Sequence, residues 1–182
     1  AGRTGPGQCR RLWTEHQHRA FAPATVPEIQ RVDLAGTLLE IMAWGTPPKQ
    51  FGWFEAPLGE DIDSGLALLR RLGAIEGQGV TALGKQMVTL PLPPRTSRAL
   101  LSAQGTPELT TVATIAAMMT ERDLFHEPPD LSADCDLELR LDVLRTEGRG
   151  RYQRGVSTHA VKNLIKVRDQ LLRALGVHKP GP

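Results

Sequence analysis

The chain contains few residues whose types and spacing are those of a reactive site. Residues 79–86 (GVTALGKQ) nearly match a phosphate-binding loop, which needs a glycine-rich turn, a lysine and a final serine or threonine that holds magnesium. Gln86 stands where that serine or threonine must be, and no buried hydrophobic strand precedes the segment. We therefore interpret residues 79–86 as a hairpin turn that runs into a short helix capped by Thr81.

Histidines and cysteines form no recognisable metal or nucleophile pattern. His16 and His18 lie close together, but two histidines without a third nearby ligand are typical of a solvated loop. Cys9 and Cys135 are far apart, so we predict neither a disulfide framework nor a zinc site. No serine lies in a nucleophile-elbow sequence. We expect no metal site and no complete active site within this chain.

Arginine-rich residues remain as candidates for binding. Residues 149–154 (RGRYQR) combine arginines with one aromatic side chain, which suits a single nucleic-acid strand through backbone charge and base stacking. A loop without a ligand is the alternative. On the first interpretation, Arg151 and Arg154 are the predicted nucleic-acid contacts.

The composition bounds the kind of protein. The 182 residues carry a net charge of +2, and 40% are hydrophobic, which fits one compact domain or two small ones. Residues 121–142 hold eight acids and two arginines, whereas residues 144–182 hold nine Lys or Arg and two acids. Such blocks are usual on solvated helix faces, and the acidic block also leaves open a structural adaptor for a basic partner. Without a long apolar run or a disulfide framework, we expect no membrane span and a reducing, cytoplasmic location.

Hydrophobic periodicity and turn residues divide most of the chain into helices. We predict helices within residues 26–45, 61–73, 106–123, 132–148 and 157–176, and a short one after Thr81. The expected caps and stops are Thr106, Ser132, Ser157, Gly45, Gly73 and Gly176. The expected core residues include Val32, Leu39, Ile62, Leu69, Met87, Met119 and Leu137.

Strands are predicted at two places only. Residues 8–13 are expected to form one short strand, followed by a connection over residues 14–25. Residues 74–76 and 80–81 are expected to pair as a hairpin around two glycines. The order helix, helix, small β-ribbon and helix is that of a winged helix. We therefore predict a mainly α fold, with a winged helix and small β-hairpin followed by a helical bundle.

The opening residues resemble the end of helicase motif VI in DEAH-box RNA helicases. Ala1-Gly2-Arg3 correspond to the last three residues of that motif, and Gly5-Pro6-Gly7 and Cys9–Trp13 continue the pattern. Arg10 stands where tyrosine is common. Because the resemblance begins inside a motif and no initiator Met is present, we expect the chain to be a piece of a larger protein.

The resemblance extends along nearly the whole chain. Residues 27–45 are similar to the segment that follows motif VI, and residues 68–101 are similar to the winged-helix pattern of the family. Residues 114–123 resemble the first long helix of the helical ratchet domain, with the Thr-Glu-Arg-Asp ending of the bacterial HrpB branch. Residues 136–144 also suit that branch. The order and spacing of these pieces carry the likeness.

This resemblance implies a domain organisation and a function. Residues 1–26 would be a remnant strand region of the second RecA-like domain, residues 27–104 the winged helix, and residues 105–182 a ratchet (HA2-like) domain, truncated or complete. The parent would be an ATP-dependent RNA helicase, using ATP and Mg²⁺ in upstream RecA-like domains. The segment alone would bind no cofactor and be inactive. Its partners would be those domains and single-stranded RNA, with DNA as the other option.

The resemblance also assigns roles to individual residues. The last arginine of motif VI, here Arg3, would be an arginine finger in the parent, since a guanidinium can bind two γ-phosphate oxygens. Thr120, Glu121 and Arg122 match the ratchet stretch that abuts the RNA strand. Arg122 would contact phosphate, and Thr120 a sugar or phosphate oxygen. Alternatively, Arg122 pairs with Glu121 or Asp123 and only holds the helix end.

A different class of protein is the alternative. A winged-helix DNA-binding regulator with a helical dimerisation domain would need a basic recognition helix in the major groove. Residues 61–73 offer only Arg70 and Arg71, near the end of their helix. The side chains that base readout requires are therefore missing.

Overall fold

The computed structural model describes residues 4–22, 24–126, 135–146 and 155–177. Within these ranges the chain is mainly helical, with one two-stranded antiparallel sheet and 3₁₀ turns at Glu28–Gln30 and Pro48–Gln50. The elements in chain order are α1 (Glu15–Ala20), α2 (Ala35–Ala43), α3 (Gly59–Arg71), β1 (Ile75–Glu76), β2 (Gly79–Val80), α4 (Ala82–Val88), α5 (Pro94–Ser102), α6 (Leu109–Thr120), α7 (Asp136–Arg145) and α8 (Thr158–Ala174). None of the described helices is long and apolar enough to cross a membrane.

The N-terminal segment differs from the prediction. Residues 8–13 form no strand and are exposed, and the predicted connection after them contains α1. The helix begins because Thr14 and Gln17 form a capping box. Gln17 N–H donates to Thr14 Oγ1 at 3.2 Å, and Thr14 N–H donates to Gln17 Oε1 at 3.0 Å. Local hydrogen bonds therefore stabilise a short helix that buries no residue.

The helix α2 begins later than predicted. Pro27 and the 3₁₀ turn precede it, and Asp33 Oδ1 accepts a 2.8 Å hydrogen bond from the Ala35 N–H at its start. Gly45 has a φ of +86° and ends the helix as predicted. The expected core residue Val32 is 47% exposed, because it precedes α2 rather than lying on its buried face.

The helix α3 and the small sheet follow the predicted winged-helix order. Gly73 ends α3 with a φ of +72°, as predicted. The hairpin pairs Ile75 with Val80 and Glu76 with Gly79. Thr81 caps α4 by accepting a 3.0 Å hydrogen bond from the Gly84 N–H. These elements pack with α2 around a first core cluster: Leu34, Ala35, Leu38, Leu39, Ile62, Leu68, Leu69, Ala74, Ile75 and Met87.

The helices α5 to α8 surround a second core cluster. The helix α5 is not among the predicted elements, yet its Leu100 is fully buried there. The cluster comprises Leu90, Leu100, Ala103, Leu109, Ala113, Ala116, Ala117, Leu124, Phe125, Leu139, Val143, Leu144, Val161, Leu164, Leu171 and Leu172. Leu101 packs against both clusters. Met119 and Leu137 were expected in the core but are 68% and 41% exposed.

The caps of the later helices agree only in part with the predictions. Ser157 caps α8 as predicted, because its Oγ accepts from the Ala160 N–H at 3.2 Å, and Gly176 ends α8 with a φ of +83°. Thr106 does not cap α6. Its hydroxyl donates instead to the Ala103 carbonyl at 2.9 Å, and the helix begins at Leu109. Ser132, the predicted start of α7, lies outside the described residues.

Candidate nucleic-acid interface

The candidate site lies where the end of α6 meets the start of α8. Phe125 pairs with Val156 in an isolated antiparallel bridge. The His126 N–H donates to the Gly155 carbonyl at 3.0 Å, and the Ser157 N–H donates to the Leu124 carbonyl at 2.8 Å. These bonds fix the segment after α6 against the residues that begin α8.

Thr120 and Glu121 end α6, and both side chains have protein partners. Thr120 is exposed, but its hydroxyl donates to the Ala117 carbonyl at 3.0 Å. Glu121 Oε2 accepts a 2.6 Å hydrogen bond from Asn163 Nδ2 on α8. The carboxylate of Glu121 is thus directed toward α8.

Asp123 is joined to α7 through Arg140. Arg140 Nη2 lies 2.5 Å from Asp123 Oδ2, and Arg140 Nε donates to Asp123 Oδ1 at 3.1 Å. Arg140 also pairs with Asp136 and lies over the ring of Phe125, 5.6 Å from the centroid. These hydrogen bonds from Arg140 hold the pKa of Asp123 below its usual value.

Arg122 lies between these two anchored acids and is exposed. Within the described part of the chain, no ion pair joins Arg122 to Glu121 or Asp123, and both acids bind other helices. Its side chain lines two adjoining cavities of about 220 and 420 Å³. The larger cavity is also lined by His126, Ser157, His159 and Asn163. The acids Glu121 and Asp123 line both cavities as well, each bound by another helix, and Arg122 is the exposed cation between them.

Other predicted contacts are not described by the structure. Arg3, Arg151 and Arg154 lie outside the described residues. Among the residues that are described, no three His, Cys, Asp or Glu side chains lie together as a possible metal site. The geometry therefore bears on Thr120, Glu121 and Arg122 alone among the predicted site residues.

Two residues of the site were missed by the sequence analysis. Arg140 lies 17 residues from Asp123, and Asn163 lies 42 residues from Glu121. One sequence signal does point to Arg140, since it and Arg122 are the two arginines in an otherwise acidic block. Asn163 has no such signal, because its position depends on how α8 packs against α6.

The fold and site define the class of the protein as a winged helix joined to a helical bundle. No family model matches the chain. It is 41% identical to a probable ATP-dependent RNA helicase, the DHX35 homolog of Caenorhabditis elegans, over 96% of this chain and 27% of that protein. It is 37% identical to the Escherichia coli ATP-dependent RNA helicase HrpB over 66% of this chain and 15% of that protein.

A solved structure agrees with these relatives. The crystal structure of the E. coli DEAH/RHA helicase HrpB matches with a TM-score of 0.68 and 29% identity, over 91% of this chain and 18% of that one. The chain belongs to the DEAH-box ATP-dependent RNA helicase family and aligns to the C-terminal part of its members. The predicted family is therefore confirmed. The DNA-binding regulator finds no support among the relatives. The chain spans about a quarter or less of the length of these relatives.

Proposed function

We propose that this chain is the winged-helix and ratchet segment of an ATP-dependent RNA helicase. In this role it guides a single RNA strand along the end of α6 while ATP is hydrolysed in RecA-like domains of the same protein. The names of the relatives support ATP and RNA as ligands of the parent. The division at residues 27–104 and 105–182, the cytoplasmic location and the inactivity of the segment alone belong to the same proposal.

The exposed Arg122 is the observation that carries the proposal. It lies in the Thr-Glu-Arg-Asp stretch that resembles the RNA-facing ratchet helix, and its two acidic neighbours are bound to other helices. A guanidinium in a cavity open to solvent is suited to a backbone phosphate, which it can contact through two N–H groups. Such a contact is independent of base sequence, as a translocating helicase requires.

Arg3 carries the catalytic part of the proposal. As the last arginine of the motif VI match, it would reach the γ-phosphate in the parent and stabilise the charge that develops there. Mg²⁺ and the phosphate loop would be supplied by the RecA-like domains. Arg3→Ala in the full-length parent should then abolish RNA-stimulated ATP hydrolysis while leaving RNA binding intact.

The test of the RNA contact is a binding titration with labelled single-stranded oligouridylate at several salt concentrations. Arg122→Ala should weaken binding about fivefold and lower the salt slope by about 0.7, the value for one phosphate contact on a single strand. Arg70→Ala is the matched control, because Arg70 is an exposed arginine on α3, away from the site. Equal effects of the two substitutions would refute a role for Arg122.

A further inference from the structure

We propose that Arg140 and Asn163 are positioning residues for Arg122. Each binds one of the acids that flank Arg122 and so holds residues 121–123 in the conformation that presents the guanidinium to the RNA strand. This inference rests on the proposed function, because it requires Arg122 to contact RNA.

The backbone makes two-sided anchoring possible. At Glu121 the chain leaves α6 with a φ of −100° and a ψ of 168°, which is extended. At this exit from the helix, Glu121 and Asp123 bind protein partners, while Arg122 between them stays exposed at the cavities that all three residues line. The partners lie on different helices, Asn163 on α8 and Arg140 on α7.

Arg140 is held firmly enough to act as an anchor. Its side chain is 15% exposed, against 47% for Asp123. Besides its two bonds to Asp123, it donates to the Asp136 carbonyl at 3.0 Å and lies over the Phe125 ring. A planar guanidinium with several fixed partners has few alternative orientations. Asp123 is therefore drawn to one place, and Arg122 next to it is restrained as well.

Asn163 is the second anchor. It is half-buried and lines the larger cavity together with Arg122. Its amide donates to Glu121 Oε2 at 2.6 Å, so one carboxylate oxygen is engaged and the side chain is held toward α8. Arg122 is the cation next to Glu121 in sequence. Loss of this hydrogen bond would therefore favour an intramolecular pair over the RNA contact.

A double-mutant cycle in the full-length parent tests the inference. Arg140→Gln and Asn163→Ala should each weaken oligouridylate binding about threefold, and neither should weaken it further than about 1.5-fold in an Arg122→Ala background. Arg140→Lys should recover part of the loss, because a lysine can still pair with Asp123. Arg168→Gln is the control, since Arg168 is 21% exposed and pairs with Asp169 at 2.7 Å outside the site.

The outcomes separate the two proposals. If Arg140→Gln weakens binding equally with and without Arg122, the residue acts through overall folding and the positioning role is refuted. If Arg122→Ala weakens binding but Arg140→Gln and Asn163→Ala do not, the RNA contact stands and the positioning role is again refuted. If the wild-type full-length parent does not bind the oligonucleotide, the proposed function fails and this inference fails with it. Thermal unfolding of each variant confirms that the comparison is between folded chains.

Discussion

Gly84 lies so close to Ala74 that the position has no room for a side chain. A Cβ atom built on Gly84 would be 2.0 Å from the Ala74 carbonyl oxygen and 2.8 Å from a methyl carbon of Val80. The hydroxyl of Thr81 donates to the Gly73 carbonyl at 2.7 Å and accepts from the Gly84 N–H. The glycine of the near-match to a phosphate loop is thus explained by the packing of α4 against the hairpin.

Gly84→Ala should destabilise the protein by about 2–3 kcal/mol, because backbone atoms must move to admit the methyl group. The measurement is the free energy of unfolding from a urea titration. Gly36→Ala is the matched control, since a Cβ at Gly36 in α2 meets only Pro94 Cδ at 3.7 Å. The control should be neutral or stabilising by less than about 1 kcal/mol, through helix propensity. Equal free energies for the two variants would contradict the steric argument.

The titration of Asp123 should depend on Arg140. The hydrogen bonds from Arg140 lower the pKa of Asp123 in the folded protein. The ion pair therefore contributes its full stabilisation above the pKa of Asp123 in the unfolded chain, about 4. This stabilisation is lost as the pH falls through the lower pKa of Asp123 in the folded protein. Arg140→Gln should raise the pKa of Asp123 toward its ordinary value, as followed by carboxyl-carbon NMR. An unchanged titration would mean that the ion pair does not persist in solution.

Ser157→Ala should lower the free energy of unfolding by about 1 kcal/mol, because the start of α8 loses the acceptor for the Ala160 N–H. Ser157→Asn restores a side-chain acceptor and should recover most of the loss. Thermal unfolding followed by circular dichroism gives both values. The cap has no effect if Ser157→Ala and Ser157→Asn unfold alike at the wild-type temperature.

Thr120 is expected to favour RNA over DNA. Because its hydroxyl hydrogen is engaged by the Ala117 carbonyl, its oxygen is left as an acceptor, which suits a ribose 2′-hydroxyl better than a phosphate. Thr120→Val keeps the shape and should reduce the ratio of RNA to DNA affinity about threefold, with Thr120→Ser as the control. Titrations with oligouridylate and oligodeoxyuridylate measure this ratio. A ratio that Thr120→Val leaves unchanged would remove Thr120 from the contacts.

Local sequence signals predicted the elements that local interactions determine. The stop at Gly73, the cap at Thr81 and the cap at Ser157 are all confirmed, since each needs only residues within one turn. The strand predicted at residues 8–13 was wrong. A strand needs a partner strand, and within the described chain none lies beside these residues. The helix α5 was missed because its start is marked only by prolines, and it is stabilised by Leu100 in the core.

The sequence predicted only those residues of the candidate site that are adjacent to one another in the chain. Arg122 and its two acidic neighbours follow from the Thr-Glu-Arg-Asp resemblance. Glu121 binds Asn163, and Asp123 binds Arg140. Both contacts depend on how α6, α7 and α8 pack together, which no local sequence pattern predicts. Met119 shows the same dependence, because it lies at a helical spacing from buried residues and is still 68% exposed.

The position of α5 has a practical consequence for dividing the chain. Its Leu100 and Ala103 belong to the second cluster, and Leu101 packs against both. A fragment that ends at residue 104 would expose Leu90, Leu100 and Ala103 to solvent, whereas one that begins at residue 105 would lack these three members of the cluster that holds Leu109 and Ala113. If limited proteolysis cuts the chain between α5 and α6, we expect neither of the two fragments to stay folded, because the cut divides the second core cluster. Expression of either half is better planned with α5 retained in both.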